Sequence, residues 1–575
     1  MAQSIKTAFL LIKLASKKNK RFLRFLIINA LVLSLKSLAF LFFIQRLTGF
    51  LTSPGPIGSV VFVFTSLAIL NFVGAYLKIV LVKAGNEFIY ALEEELLDKS
   101  LSISYDRLED PAYYKLLRSA KFSLRNQYAV ENLIEAIINF LEGIIRIVIT
   151  ALVLSSLSLG LGLIILALLA LNFYGKIYYS KKDDNFYKDL APINNWIWFY
   201  QFLPFNKDRL LDIKANSMEE KIISSYRGQI DSTNNLFKDF YKRIGLSSSL
   251  SDFLNTLVFI AVLISGAINL SKGNFEIEAF TMITLGTLKA IEALNSITEA
   301  TVDFWRYARF SQPIIDFLSL PNGDSKEKDL PKTEKILEAR DLDFSYSQNP
   351  ILENINFKAQ GNKLVVIIGK NGSGKSTLVK LISGVYRPSR GGLTYKTIDT
   401  CDLSYKHISP IFQDFTLLND FTSYENIAST RENISKTKVS DSINLLGWKI
   451  NFDLEKTLGA NLSEENVDLS GGQAQQVASL RALYRDRDLI ILDEPTSAID
   501  IEKERDFYKT FEKLKKDYMV FLISHRLTAV HWADEIWFVD DKNLEIYPSH
   551  EAAMEGSKTY KDLYSAYYEN YKSIS

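Results

Sequence analysis

The residues with the plainest chemistry run Gly369-Lys370-Asn371-Gly372-Ser373-Gly374-Lys375-Ser376-Thr377. They follow a short β-branched run, Val365-Val366-Ile367-Ile368, and precede an apolar stretch from Leu378 that reads as a helix. A glycine-rich turn between strand and helix aims backbone N–H groups at phosphate oxygens. The helix N-terminus adds partial positive charge. In that setting Lys375 reaches the β and γ phosphates of a nucleotide, and Ser376 offers an oxygen to Mg2+. Asp488-Leu489-Ile490-Ile491-Leu492-Asp493-Glu494 reads as a buried strand ending in two acids. Asp493 suits the Mg2+ shell, in part through water, and Glu494 is next in line to activate or orient an attacking water. An acid pair at a strand end is by itself an ordinary solvated turn; the phosphate loop upstream is what favours chemistry here. His525 ends a further apolar run, Tyr518 to Ser524, and in isolation reads as a core or surface histidine.

A second stretch, Leu469-Ser470-Gly471-Gly472-Gln473, also sets a serine and two glycines at what reads as a helix start. No lysine follows. It is half of a phosphate grip.

These residues need scaffolding that the whole chain supplies. With 575 residues the chain exceeds one ordinary domain, and its net charge of +1 gives no global basic field for nucleic acid. Charge and hydrophobicity are segregated: hydrophobic residues cluster in the first half, and charges lie between those clusters and in the second half. The single cysteine, Cys401, excludes an intrachain disulfide. The histidines His407, His525, His531 and His550 have no Cys or His partner at ligand spacing, so no structural metal site is expected.

Residues 1–24 carry Lys6, Lys13, Lys17, Lys18, Lys20, Arg21 and Arg24 and no acid. The apolar run behind them is too long for a signal-peptide core and lacks a small-residue cleavage site, so an uncleaved membrane anchor is expected. Phe25–Phe43, about 19 residues, is long enough for the roughly 30 Å hydrocarbon core. Ile57–Val82 is the second span. Ile147–Gly175, about 43 Å as one helix, is too long for one upright crossing. It is split at Ser158, Gly160 and Gly162 into a tight hairpin. Phe253–Leu270 and a more polar Phe280–Ile297 complete six spans. Six crossings keep the basic N-terminus and the nucleotide motifs on the same, cytoplasmic side.

Between the spans, residues 84–138 and 176–246 are charged and helical in pattern, which implies membrane helices continuing far into the cytoplasm. Asp110-Pro111 opens a helix over Ala112–Ala120, and Asn206-Lys207-Asp208-Arg209 opens another. In the sixth span Thr284, Lys289, Glu292 and Asn295 recur at roughly helical spacing. They line a polar cavity, or Lys289 and Glu292 neutralise each other one turn apart. Residues 318–335 are polar and read as a linker. The chain therefore divides into a membrane domain at 1–317, the linker, and a nucleotide domain at 336–575. The fold class is an all-α membrane domain of six helices with long cytoplasmic extensions, followed by an α/β P-loop NTPase with a helical subdomain.

Taken together these residues resemble the ATP-binding cassette (ABC) transporters, in the half-transporter layout of the exporters. The resemblance implies a role for each motif. Gly369–Thr377 matches the Walker A loop, and Asp493 and Glu494 match the Walker B end with its catalytic glutamate. Tyr346 matches the aromatic that stacks on adenine. Gln413 matches the Q-loop glutamine that senses Mg2+. Leu469–Gln473 is similar to the signature sequence. Asp500, in Ser497-Ala498-Ile499-Asp500, matches the D-loop, and His525 the switch histidine. The helix starts at Asp110 and Asn206 fall where the family has coupling helices. One departure is Gln476, where many members carry a basic residue.

The resemblance further implies ATP and Mg2+ as ligands and a second half-transporter chain, identical or related, as partner. Ser470, Gly471, Gly472 and Gln473 would then grip ATP bound on that partner, which is why no lysine is needed. It implies a bacterial plasma-membrane protein with no nucleic-acid partner. The loop with Phe412-Gln413-Asp414-Phe415 and the Glu109-Asp110-Pro111 region are similar to lantibiotic and bacteriocin peptide exporters. No peptidase domain precedes the first span, so another protein would trim a leader peptide. An exporter-shaped importer, a drug or lipid exporter and a non-transporting sensor ATPase are the alternatives.

Overall fold

The computed structural model describes residues 2–574 except 54–55, 104–106, 108–109, 126, 158–183, 206, 274–275, 323–329, 332, 347–348, 404–406, 460–465, 486 and 496–500. By contacts the chain forms two units, Met1–Leu101 with Tyr114–Leu320, and Ser102–Tyr113 with Pro321–Ser575.

The first unit is helical. Its elements are α1 (Ala2–Lys18), α2 (Lys20–Thr52), α3 (Gly58–Ser102), α4 (Pro111–Arg125) and α5 (Ala129–Leu157), then α6 (Asp184–Phe202), α7 (Lys207–Ala215), α8 (Glu219–Ser271), α9 (Ile277–Phe310) and α10 (Gln312–Leu318). Asn19 breaks α1 from α2: its Oδ1 accepts from Phe22 N–H at 3.2 Å, capping the new helix. Among the described residues, three helical segments are long and apolar enough to cross a membrane: Lys20–Thr52, Gly58–Ser102 and Ser249–Ser271. α9, which holds the expected sixth span, is more polar and not among them. The expected hairpin lies largely outside the described residues; α5 is the start of its first arm.

The helices outrun the apolar runs that announce them. α3 has 45 residues and α8 has 53. At 1.5 Å per residue they measure about 68 and 80 Å, more than twice the hydrocarbon thickness. Beyond Val82 the charged stretch contains no proline and, up to Ser102, a single glycine, Gly85, which a helix tolerates, so nothing stops the turn at the membrane edge. Asp110 Oδ1 accepts from Ala112 N–H at 2.8 Å, and the helix it opens runs to Arg125, five residues past the expected end. Of the second expected start, Asn206 lies outside the described residues; α7 begins at Lys207.

α9 packs along α5 and α2. Its buried stripe, Ile283, Gly286, Thr287, Ala290, Ala293, Leu294 and Ile297, follows the three-and-four spacing of a helix face and is rich in small residues. Small side chains let backbones close in where no water-driven force pulls membrane helices together. Gly143 of α5 faces this stripe: a Cβ there would stand 2.4 Å from Ile297 Cγ1 and 3.2 Å from the Ala293 carbonyl oxygen.

In the second unit a six-stranded sheet has the order β12-β11-β3-β10-β9-β6, and a four-stranded antiparallel sheet the order β2-β1-β4-β5. The strands are β1 (Ile336–Tyr346), β2 (Asn349–Gln360), β3 (Lys363–Ile368), β4 (Arg390–Tyr395), β5 (Ile398–Asp399), β6 (Ile408–Ile411), β9 (Leu489–Asp493), β10 (Met519–Ile523), β11 (Glu535–Asp540) and β12 (Asn543–Tyr547), with the short pair β7 (Thr457–Leu458) and β8 (Asn466–Val467) apart. Strands β11, β3, β10, β9 and β6 are mutually parallel. Such strands must be covered on both faces, which is why β9 and β10 read as unbroken apolar runs. Val366, Leu492 and Leu522 point into one core, and Val365, Ile491 and Phe521 into the other. Cys401 donates from Sγ to the Tyr386 carbonyl at 3.2 Å, and burial pushes its thiol up to about 12.

Gly143→Val tests the α5–α9 contact. Overpacking there should cost about 1–3 kcal/mol, read as a lower melting temperature of the detergent-solubilised chain, whereas Gly228→Val, where a Cβ meets nothing, should lose less.

Candidate functional site

Four neighbouring parallel strands deliver the site. Their pairing puts Ile367 of β3 level with Ile523 of β10, Ile523 level with Asp493 of β9, and Leu492 level with Ile411 of β6. The chain leaving β3 is the loop at Gly369, that leaving β10 reaches His525, that leaving β9 reaches Glu494, and that leaving β6 reaches Gln413. Carboxyl ends of parallel strands are where α/β sheets bind ligands.

Tyr346, Ile351, Asn371, Gly372, Gly374, Lys375, Ser376, Thr377, Gln413, Glu494 and His525 line one pocket of about 640 Å3. The loop leads into α11 (Lys375–Ile382), whose first residue is the lysine itself; α12 (Ser423–Ala428) and α13 (Lys436–Leu446) follow in the chain. Lys375 Nζ donates to the carbonyls of Gly369 at 2.9 Å and Lys370 at 2.8 Å, which folds the loop around the ammonium group. Burial holds its pKa below the usual lysine value, with Glu494 and Asp493 opposing. Gly374 has φ +104 and a Cβ there would meet Ile351 Cγ2 at 3.0 Å. At Gly369 a Cβ would stand 2.2 Å from the Val539 carbonyl oxygen. Both positions exclude a side chain. Gly369 and Ser373 sit behind the lining rather than in it. Tyr346 packs edge-on against Phe344 and Tyr386, and its hydroxyl lies 3.3 Å from Thr377 Oγ1.

Three residues chosen from separate parts of the sequence meet on one carboxylate. Glu494 Oε1 lies 2.5 Å from His525 Nε2, and Gln413 Nε2 donates to Glu494 Oε2 at 3.1 Å. Glu494 has φ +51, a left-handed backbone that a side-chain-bearing residue holds only when its surroundings impose it.

Asp493 is 3% exposed, and its Oδ1 has no donor among the described residues. Burial pushes its carboxyl up to about 6; a bond from Ser376 and the Lys375 charge pull it down, and the Glu494 charge adds to the rise. A buried, undonated carboxylate oxygen beside a serine hydroxyl fits a divalent cation shared with a triphosphate.

The half grip has a local structure of its own. Ser470 caps α14 (Gly471–Tyr484): its Oγ accepts from Gln473 N–H at 3.3 Å, while Gln473 Oε1 accepts from Ser470 N–H at 2.9 Å. That is a capping box. Gln473 is thus engaged within its own chain, while Ser470 keeps a hydroxyl proton to donate and, with Gly471, stands exposed. None of these residues lines the pocket. Asp500 lies outside the described residues. On α9, Lys289 Nζ donates to Glu292 Oε2 at 2.7 Å, so the mutual neutralisation is made. Asn255 Nδ2 donates to Asn295 Oδ1 at 3.5 Å, and Thr284 Oγ1 is buried with no partner among the described residues.

The sequence reading missed Gln475, whose Nε2 donates to the Glu494 carbonyl at 3.0 Å, and Arg481, whose Nε donates to the Asn426 carbonyl at 2.9 Å. The available signal was the spacing of Gln475, Ala478, Ser479 and Ala482, which sets a glutamine in a buried helical stripe.

The family profile described as ABC transporter matches residues 352–497. The second unit is an ABC transporter domain. With its helical first unit, the chain as a whole has the fold of a bacterial Atm1-family ABC exporter solved with ATP bound: TM-score 0.79 over 95% of this chain and 98% of that one, at 18% identity. It is a multi-pass membrane protein with the ABC domain on the cytoplasmic side. Similar curated proteins include the ATP-dependent lipid A-core flippases of Vibrio parahaemolyticus serotype O3:K6, 30% identical over 56% of this chain, and of Haemophilus influenzae, 29% identical over 60%. The matched region spans 58% and 62% of those flippases. The nisin transport ATP-binding protein NisT of Lactococcus lactis is 25% identical over 98% of this chain and 96% of its own length.

Gly369→Ala tests the loop of the ABC domain. Displacing the Val539 carbonyl contact should weaken binding of a fluorescent ATP analogue by roughly tenfold or more, about 1.4 kcal/mol, measured by titration of the purified chain.

Proposed function

We propose that the chain is one half of an ATP-driven exporter, working as a dimer with a second copy or a related chain. The observation that carries this reading is the convergence of Lys375, Gln413, Glu494 and His525 on one pocket at the ends of four parallel strands. Tyr346 would stack on the base, the loop N–H groups and Lys375 would hold the phosphates, and Ser376, Asp493 and Gln413 would hold Mg2+. Bound there, the ion neutralises charge developing on the phosphates. Glu494 orients the attacking water and takes its proton; Gln413 and His525 fix its carboxylate for that task. Ser470 and the N–H groups of Gly471 and Gly472 would donate to the γ-phosphate held by the partner. Asp500 would act in the same sandwich. Nucleotide-driven closure moves the membrane helices only to the extent that ATP binds the closed state more tightly than the open one.

The division at 1–317, 318–335 and 336–575 belongs to this reading, as does a substrate path beside Thr284, Lys289, Glu292 and Asn295. A lantibiotic- or bacteriocin-like peptide is the proposed cargo, because the similarity to the nisin transport protein extends along nearly the whole chain. A lipid is the second reading, favoured by the higher identity to the flippases.

Glu494→Gln should bind ATP as before and lose hydrolysis by roughly 10²-fold or more; unchanged turnover would remove Glu494 from the mechanism. In proteoliposomes with the ABC domain outward, ATP should drive accumulation of a labelled lantibiotic-like peptide and leave a fluorescent phospholipid analogue in place. Lipid movement without peptide uptake would reverse the choice of cargo, and loss of preloaded peptide would reverse the direction.

A further inference from the structure

Gln475 lies within α14, one turn beyond the exposed cap at Ser470, and is 4% exposed. Its Nε2 donates to the Glu494 carbonyl at 3.0 Å. Glu494 is also held at its N–H, which donates to the Ile523 carbonyl at 3.1 Å. Its left-handed backbone is therefore clamped on one side by β10 and on the other by α14. Six residues further along the same helix, Arg481 donates from Nη1 to the Thr416 carbonyl at 3.3 Å, just past Gln413. One short helix thus holds both segments that carry the pocket's Gln413 and Glu494, and that helix begins at the exposed Ser470 cap.

We propose that Gln475 is a positioning residue that couples the two ATP sites of the dimer. When the N-terminus of α14 engages the partner's γ-phosphate, the shift of the helix is passed through the buried amide to the Glu494 peptide. That sets the carboxylate in line with the water of its own site. The inference rests on the dimeric ATPase reading above. Its physical basis is that a buried hydrogen bond is not readily exchanged for water, and that the left-handed backbone of Glu494 persists only under restraint. Without the amide, the Glu494 peptide relaxes and the carboxylate leaves its line.

The test uses the purified full-length chain and two substitutions. Gln475→Met keeps the length and loses the N–H; Gln475→Glu keeps the shape and presents an acceptor instead of a donor. Both should leave ATP affinity and KM within about twofold, lower kcat roughly 10- to 100-fold, and flatten the dependence of rate on ATP from sigmoidal to hyperbolic. Combined with Glu494→Gln, Gln475→Met should add no further loss, as expected of residues acting as one unit. An unchanged kcat and unchanged sigmoidicity in either folded variant overturns the inference, as does a fully additive double mutant. Failure of the parent reading looks different: a wild-type chain without ATPase activity, or full activity in Glu494→Gln alone.

Discussion

The register of β3, β10, β9 and β6 places Ile367, Ile523, Asp493 and, one residue back, Ile411 beside one another. Parallel pairing fixes that level for every strand at once. A slip of one residue in β9 would turn Asp493 to the other face and carry Glu494 away from His525. The apolar runs of the central strands are thus the part of the sequence that aims the polar residues behind them. The tight glycines, the folded-back Lys375 and the shared carboxylate of Glu494 all hang from strand ends that the two cores hold in place.

The ABC domain was legible because its motifs are contiguous and each abuts a recognisable strand. Lys375 and Glu494 could be assigned from their neighbours in sequence, His525 only through the family resemblance, and the sheet brought them together. The signature was legible only in part. Ser-Gly-Gly-Gln reads as a phosphate grip, but the same residues satisfy the requirement of a helix start for side-chain acceptors, and the structure uses Ser470 and Gln473 for that. Gln475 went unread because a glutamine in a helix is ordinarily solvated; only its place in a buried stripe marks it.

In the membrane unit hydropathy located the apolar centres of α2, α3 and α8 but not their ends. Hydropathy reports the solvent that a segment meets, whereas helix length depends on where a breaker stops the turn. The polar residues of α9 show a related limit. Lys289 and Glu292, three residues apart, form a 2.7 Å pair, a neutralisation that a residue-by-residue charge count does not register. Close packing there depends on Gly143 and the small residues opposite it, which a hydrophobicity count does not register.

The environment of Cys401 has a practical consequence. Burial pushes the thiol up to about 12, so little reactive thiolate forms at pH 8, and Sγ is engaged with the Tyr386 carbonyl. Cys401 should therefore react slowly with maleimide reagents. Single reporter cysteines can be placed on the exposed face of either unit and labelled in preference to Cys401, without altering the wild-type background.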